Sequence, residues 1–383
     1  MNTISRRQCL LFLGAGAAGL VVSACGQAAA PASSAPAAKP AASTAGPAAS
    51  SAPAKPAASA AASASAAAKP GSASSVKITD IQITSAAGSY IAAEKGYFKD
   101  EGIQAEFVKM GSGDQIPAVV SGTADVAGTA IAAALYNAFA RELPLKMVAD
   151  HGANLKDASA GGFVIRKDVA DKFNGPASIK GWKVANGLTG GTPDVAMARW
   201  LKTVGLTLKD IDMVNMNFPD MIPAFSNKAI DAAYYQEPFT TIAANQGVAV
   251  RGPIGYDIYP DQQIAVVLFG AKMTADKELS LHYLRAYLRG VRDYVKALIQ
   301  KDKPSFDQVV PILIQHTTVK DPMLFDKAIP SGLKPDAIPN VESMKDALAY
   351  FVGTGDVKQQ FDLDKYIDLS FIREANQQLG PFK

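Results

Sequence analysis

Residues 26–75 contain only Ala, Pro, Ser, Lys, Gly, Thr and Gln. Without an aromatic, branched aliphatic or acidic side chain, this stretch cannot bury enough apolar surface to offset the entropy of ordering it. It is expected to be a disordered tether, and a flexible coil of that length spans about 40 Å end to end. The folded part must then come from residues 76–383, which is large for one hydrophobic core and natural for two domains.

Ahead of the tether, Arg6 and Arg7 precede an apolar run over residues 10–22, and Val22-Ser23-Ala24-Cys25 closes it. The run is too short and too rich in glycine (Gly14, Gly16, Gly19) for a comfortable membrane span. The pattern resembles a bacterial lipoprotein signal. That resemblance implies removal of residues 1–24, a diacylglycerol on the Cys25 thiol, and a protein held on the outer side of a cell membrane. Residues 5–10 also resemble a twin-arginine signal, so export by the general secretory or the twin-arginine route is expected.

The whole-chain charge of +3 misleads about the folded part. Arg6, Arg7, Lys39, Lys55 and Lys69 all lie before Val76 with no acid among them, which leaves residues 76–383 at −2. No run of five basic residues occurs, so nothing points to nucleic acid. The chain's two cysteines are Cys9 and Cys25, so residues 76–383 have no disulfide and no thiol nucleophile. Its three histidines, His151, His282 and His316, lack any short ligand spacing, so no metal and no cofactor is expected. The common hydrolase and phosphate-loop motifs are absent, and no catalytic residue is assigned.

Short apolar runs alternate with helix-period segments, which predicts an α/β fold. Strands are expected over 76–84, 103–109, 125–127, 145–149, 162–166, 182–185, 212–216, 230–235 and 264–269. From residue 279 onward the pattern is helical only. One internal echo stands out: residues 118–127 and 224–233 both read as a helix end, a turn and a short strand ending at Asp125-Val-Ala and Asp231-Ala-Ala. Gly122 and Asn227 are expected at the left-handed turn.

Four further segments carry a resemblance. They are Glu94-Lys-Gly-Tyr-Phe-Lys-Asp-Glu-Gly-Ile103, Val120-Ser-Gly-Thr-Ala-Asp-Val-Ala127, Ala232-Ala-Tyr-Tyr-Gln-Glu-Pro-Phe239, and Tyr366-Ile-Asp-Leu-Ser-Phe371 followed by Ala375 and Leu379-Gly380. In this order they resemble the substrate-binding proteins of ABC importers, in the group that takes sulfonates, taurine, nitrate or a thiamine pyrimidine precursor. The resemblance implies a type II periplasmic-binding fold, with two α/β lobes, a hinge and a ligand cleft between them. Lobe 1 would be residues 76–166 plus 256–383 and lobe 2 residues 167–255, with crossings near Arg166 and within 250–264. The implied role is capture of a small nutrient by hinge closure and delivery to a membrane permease with its ATPase, by a lipid-anchored monomer. A ligand-sensing lipoprotein beside a membrane receptor, or an enzyme of the pyrimidine-synthesis type, are the alternatives.

Ligands of α/β sheets bind beyond the carboxyl ends of strands. Five loops qualify. Ser89 and Tyr90 follow the first strand, with Gly88 allowing close approach and Tyr90 offering a stacking face. Thr129 and Ala130 lie between a strand and a helix. Thr189, Gly190, Gly191 and Thr192 open a helix at Pro193, where free N–H groups and the helix dipole suit an anion or polar group. Asn217 follows another strand. Tyr235 and Glu237 complete the set, and the resemblance puts their segment at the cleft. His151 and Asn154 are further candidates. The tyrosines suggest a planar or organic ligand, and Gln236 stands where relatives carry tryptophan.

Overall fold

A computed structural model describes residues 73–159 and 161–383. The signal, Cys25 and nearly all of the expected tether lie outside the described residues.

Ten strands form two five-stranded sheets. The first contains β1 (Ser74–Asp80), β2 (Ile103–Lys109), β3 (Val126–Ala130), β4 (Lys146–Ala153) and β10 (Gln263–Phe269), in the order β2-β1-β3-β10-β4. The second contains β5 (Gly161–Arg166), β6 (Lys183–Asn186), β7 (Asp212–Asn215), β8 (Ala232–Gln236) and β9 (Ala249–Ile254), in the order β7-β6-β8-β5-β9. Each sheet is parallel except for one antiparallel strand, β10 in the first and β5 in the second. Those two strands are the ones that the crossing segments deliver, so each lobe receives its odd strand from the other lobe's connection.

The first crossing therefore lies between the end of β4 at Ala153 and the start of β5 at Gly161, upstream of the expected position near Arg166. β5 pairs with β8 and β9, and this puts residues 161–166 in the second lobe rather than the first. Arg166 sits at the far end of the sheet, donating to the Ile230 carbonyl at 2.7 Å and to Asp231 at 2.9 Å. The second crossing, residues 255–262, falls within the expected range. A strand over residues 249–254 escaped the sequence reading, because its Gly252 and Pro253 look like a turn.

The echo between the halves is real in geometry. Asp125 accepts the Lys77 N–H at 2.8 Å, and Asp231 accepts the Lys183 N–H at 2.9 Å. In return, the Asp125 and Asp231 N–H groups each donate to the same lysine's carbonyl at 2.8 Å. Gly122 takes the left-handed turn at φ 76°, as expected. In the second copy that position belongs to Lys228, at φ 60°, and Asn227 keeps a right-handed φ of −82°.

The first lobe's core is closed by the C-terminal helices. The helix Lys277–Tyr294, extended by a π-helical turn over Val295–Ile299, crosses the helix Ala87–Glu94 at two glycines. A Cβ on Gly290 would stand 2.0 Å from the Gly88 carbonyl oxygen, and one on Gly88 would stand 2.6 Å from a Val291 methyl. The close approach that Gly88 permits is thus to a helix, not to a ligand. The helices Val341–Thr354 and Ser370–Leu379 bury their apolar faces on the same lobe. Among the described residues no helix is long and apolar enough to cross a membrane.

Candidate functional site

The lobes meet at the carboxyl ends of their sheets. The Ala133 N–H, just beyond β3, donates to the Gly190 carbonyl beyond β6 at 2.9 Å, and Ala132 bridges Gly191. On the hinge side, Gln262 Nε2 donates to the Thr192 carbonyl at 2.9 Å. On the flank, Arg199 of the helix Thr192–Lys202 forms an ion pair with Asp346 of the helix Val341–Thr354. Tyr259, in the second crossing, donates to the same Asp346 at 2.7 Å, and its ring lies under the Arg199 guanidinium at 5.2 Å. The sequence-expected loops after β3 and β6 are brought together here.

The loop 189–192 differs from expectation in its chemistry. Gly190 adopts φ 72°, which turns the chain into the helix, and Gly191 rather than Thr192 is the N-cap. Thr192 is buried and makes no side-chain cap. Asp194, in the first turn of that helix, accepts the Gly190 N–H at 2.6 Å and the Asn186 amide at 2.5 Å. One of the loop N–H groups expected to be free for an anion, that of Gly190, is thus taken by the chain's own carboxylate. Burial pushes the Asp194 carboxyl up, and these two donors oppose that push.

The end of β8 is likewise committed internally. Tyr235 is fully buried, donates its hydroxyl to the Phe218 carbonyl at 2.6 Å and stacks on Phe239 at 5.8 Å. It offers no open face to a ligand. Glu237 accepts from the Thr241 N–H at 3.1 Å and the Thr241 hydroxyl at 2.7 Å, and pairs with Arg251 at 2.5 Å. It also accepts the Ile329 N–H at 3.4 Å, from the C-terminal segment packed on the first lobe. Asn217 is exposed at the start of the helix Phe218–Ser226 and donates to Asp220 at 3.3 Å.

In the first lobe, several expected contacts prove to be interior. Tyr90 has no exposed surface, donates to Asp80 at 2.5 Å and stacks on His316 at 4.7 Å. Ser89 lies 3.5 Å from the Tyr283 hydroxyl. His151 is enclosed below the sheet, with Nδ1 3.3 Å from the Tyr287 hydroxyl, and burial lowers its pKa to about 4. Nε2 of His151 is the reason that residue 128 is glycine, since a Cβ there would lie 2.0 Å away. A cavity of about 10 Å³ adjoins Thr79, Ser89, His151 and Tyr283, with room for one water at most. Thr129 is buried and caps no helix, and the half-buried Ala130 ends β3 where the lobes meet. Asn154 is in the first crossing and bonds the second crossing, as a hinge residue does.

Sequence reasoning missed Asp194, Gln262, Arg199, Tyr259 and Asp346. Only Asp194 left a local signal, as an acid in the first turn behind Pro193. The others act through partners far away in the chain. Among the described residues no group of three His, Cys, Asp or Glu side chains could hold a metal ion.

Solved structures share this architecture. The ligand-binding component of an ABC-type import system from Staphylococcus aureus, solved with zinc bound, is 16% identical, over 79% of this chain and 99% of that one, with a TM-score of 0.62. The periplasmic aliphatic sulphonate-binding protein SsuA from Escherichia coli is 17% identical, over 77% of this chain and 92% of that one, with a TM-score of 0.63. The periplasmic nitrate-binding protein NrtA from Synechocystis PCC 6803 is 18% identical, over 80% of this chain and 89% of that one, with a TM-score of 0.64. At these identities the likeness concerns the fold. No curated protein matches the sequence. The family described as NMT1/THI5 like matches residues 83–297, more than half of the chain, and the chain belongs to that family.

Proposed function

We propose that this protein is the solute-binding component of an ABC importer, working outside the cytoplasm, held to a membrane through Cys25 and handing its ligand to a permease. The observation that carries the reading is the meeting of Ala133 with Gly190. Two lobes joined by only two crossings touch through loops at the carboxyl ends of their sheets. Such a geometry separates by hinge motion and closes over whatever favours the joined state. Printed names among the structural relatives, an ABC import component, a sulphonate binder and a nitrate binder, point the same way.

Binding without conversion is the better reading of the residues. The described part has no cysteine. His151 is buried, while His282 lies 3.5 Å from Glu101 and His316 2.7 Å from Glu94. None stands free at the cleft as a proton carrier. We read the tether of residues 26–75 as the stand-off that lets a monomer reach its permease.

The test is a thermal-shift screen of neutral heterocycles, organic amines, carboxylates, nitrate and sulfonates, followed by mass spectrometry of each hit. Saturable stabilisation with the compound recovered unchanged is expected. At a hundred times the dissociation constant, a ligand stabilises the native state by about 2.7 kcal/mol. Chemical conversion of a hit, or a screen in which nothing stabilises the protein, would count against the reading.

A further inference from the structure

A cavity of about 320 Å³ lies in the first lobe, away from the residues that join it to the second. It opens to solvent between the helix Lys277–Tyr294, the loop ahead of the helix Val341–Thr354 and the end of the helix Ser370–Leu379. Ligand pockets span about 300–1,000 Å³, so this one has room for a single small organic molecule. Pro335, Pro381 and Phe382 give it an apolar wall. Arg292 and Asp336 bring opposite charges to it, and neither forms an ion pair among the described residues.

Arg285, Arg289 and Arg292 share one face of the helix Lys277–Tyr294, being four and three positions apart. Arg285 pairs with Glu101, and Arg289 pairs with Asp100 at 3.0 Å. Arg292 bonds neutral groups instead. Its Nε donates to the Pro335 carbonyl at 3.2 Å and its Nη2 to Asn376 Oδ1 at 3.0 Å, while Nη1 has no partner among the described residues. Asn376 is itself fixed, donating to the Asp336 carbonyl at 2.7 Å and the Ile372 carbonyl at 2.8 Å. The loop around Asp336 is pinned to Asp150: the Lys334 N–H donates to the Asp150 carboxylate at 3.0 Å, and the Asp150 N–H donates to the Ala337 carbonyl at 2.8 Å. Both charges therefore sit on a preformed frame, which lowers the ordering cost of binding. Burial lowers the Arg292 pKa and Asp336 opposes that shift, so the guanidinium has lost part of its hydration and gains from a new anionic acceptor. Asp336 accepts the Ile338 N–H at 3.0 Å through Oδ1, and its Oδ2 has no partner among the described residues.

We propose that this cavity is a second ligand site, which takes a zwitterionic amino acid with an apolar side chain. The carboxylate meets Arg292 Nη1, the ammonium meets Asp336, and the side chain lies on Phe382 and the two prolines. A plain carboxylic acid leaves Asp336 without a partner, and a plain amine leaves Arg292 without one. The site goes beyond the capture of a solute between the lobes and does not depend on it.

The experiment titrates L-phenylalanine, hydrocinnamate (no ammonium) and phenethylamine (no carboxylate) into the protein, read by calorimetry and saturation-transfer NMR. The wild type is expected to bind L-phenylalanine saturably and both one-charge analogues more weakly. Arg292→Gln is expected to weaken L-phenylalanine on the order of tenfold, the scale for a lost charge-assisted hydrogen bond. Asp336→Asn is expected to weaken it about two- to fivefold, because that carboxylate is exposed. Circular dichroism checks the fold, and Asp336→Asn carries the test if Arg292→Gln is not folded. No saturable binding of L-phenylalanine up to its solubility overturns the proposal. Binding that the folded variants keep at wild-type affinity places the ligand elsewhere and overturns it too. Hydrocinnamate or phenethylamine binding as tightly as L-phenylalanine overturns the zwitterion as the ligand class. None of these outcomes bears on the cleft between the lobes, since neither Arg292 nor Asp336 belongs to it.

Discussion

Asn154 and Gln262 join the two crossing segments to each other. The Asn154 amide donates to Gln262 Oε1 at 3.1 Å, and the Asn154 N–H donates to the Gln262 carbonyl at 2.9 Å. Gln262 then donates its own amide to the Thr192 carbonyl at 2.9 Å. One buried side-chain pair thus links the hinge to the helix that faces the cleft. Removing the Asn154 amide leaves Gln262 Oε1 without that donor. Asn154→Ala is expected to cost about 1–3 kcal/mol, the price of an unsatisfied buried polar group, read by urea denaturation. It should also raise the radius of gyration of the ligand-free protein in solution scattering. An unchanged midpoint and radius would remove Asn154 from the hinge.

The Arg199–Asp346 pair joins the two lobes beside the second crossing. Its side chains are 47% and 23% exposed, so the pair itself is worth only about 0.2–1 kcal/mol after solvent screening. Tyr259 makes it a three-membered network by bonding Asp346. Asp346→Asn is expected to shift the ligand-free population toward open lobes, and added salt should do the same to the wild type. Distance measurements between labels on the two lobes check this. A distance distribution insensitive to both changes would mean that the network does not hold the lobes.

Gly290 is the tightest helix contact in the first lobe. Gly290→Ala puts a methyl 2.0 Å from the Gly88 carbonyl oxygen, which is backbone and cannot rotate away. The helices must separate, at a cost of about 1–3 kcal/mol or more. Gly353 has open space around its Cα. Gly353→Ala should therefore stabilise the protein slightly, because it sits inside the helix Val341–Thr354. Thermal unfolding of the two variants should move in opposite directions.

His151 sets a pH dependence. Its pKa falls from 6.5 in the unfolded chain to about 4 in the fold because burial disfavours the charged ring. Between those values the unfolded state holds more protons, so stability declines as pH drops from about 6.5 toward 4. The loss reaches about 3 kcal/mol at the low end of that window. Asp150, whose carboxyl burial pushes upward, works in the opposite direction: the stability it contributes at low pH is lost as pH rises through the carboxylate range. The difference between the wild type and His151→Asn isolates the histidine. Equal pH slopes for the two proteins would show that His151 does not titrate on unfolding.

Tyr234 Oη is buried beside the Asn154 side chain but makes no hydrogen bond of ordinary geometry. Deleting an unpaired buried hydroxyl costs nothing and can stabilise. Tyr234→Phe is expected to leave the ligand-free unfolding midpoint equal or higher. A marked fall would reveal a partner, such as a bound water.

Most of the elements are written in local patterns along the chain. The alternation in β1, the unbroken apolar run of β10 and the helical period after residue 279 are local signals. The family motifs and the echo around Asp125 and Asp231 are also linear features. Tertiary structure alone decided which sheet β5 joins, since a strand buried on both faces looks the same beside any neighbour. It decided too that Tyr90, Tyr235 and Glu237 spend their polar atoms inside the protein, and that Asp194 takes the Gly190 N–H. A side chain's type states what it can bond. Which partner claims it depends on chain segments brought together only by folding: Ile329 reaches Glu237 from 92 positions away, and Asp346 meets Arg199 from the other lobe.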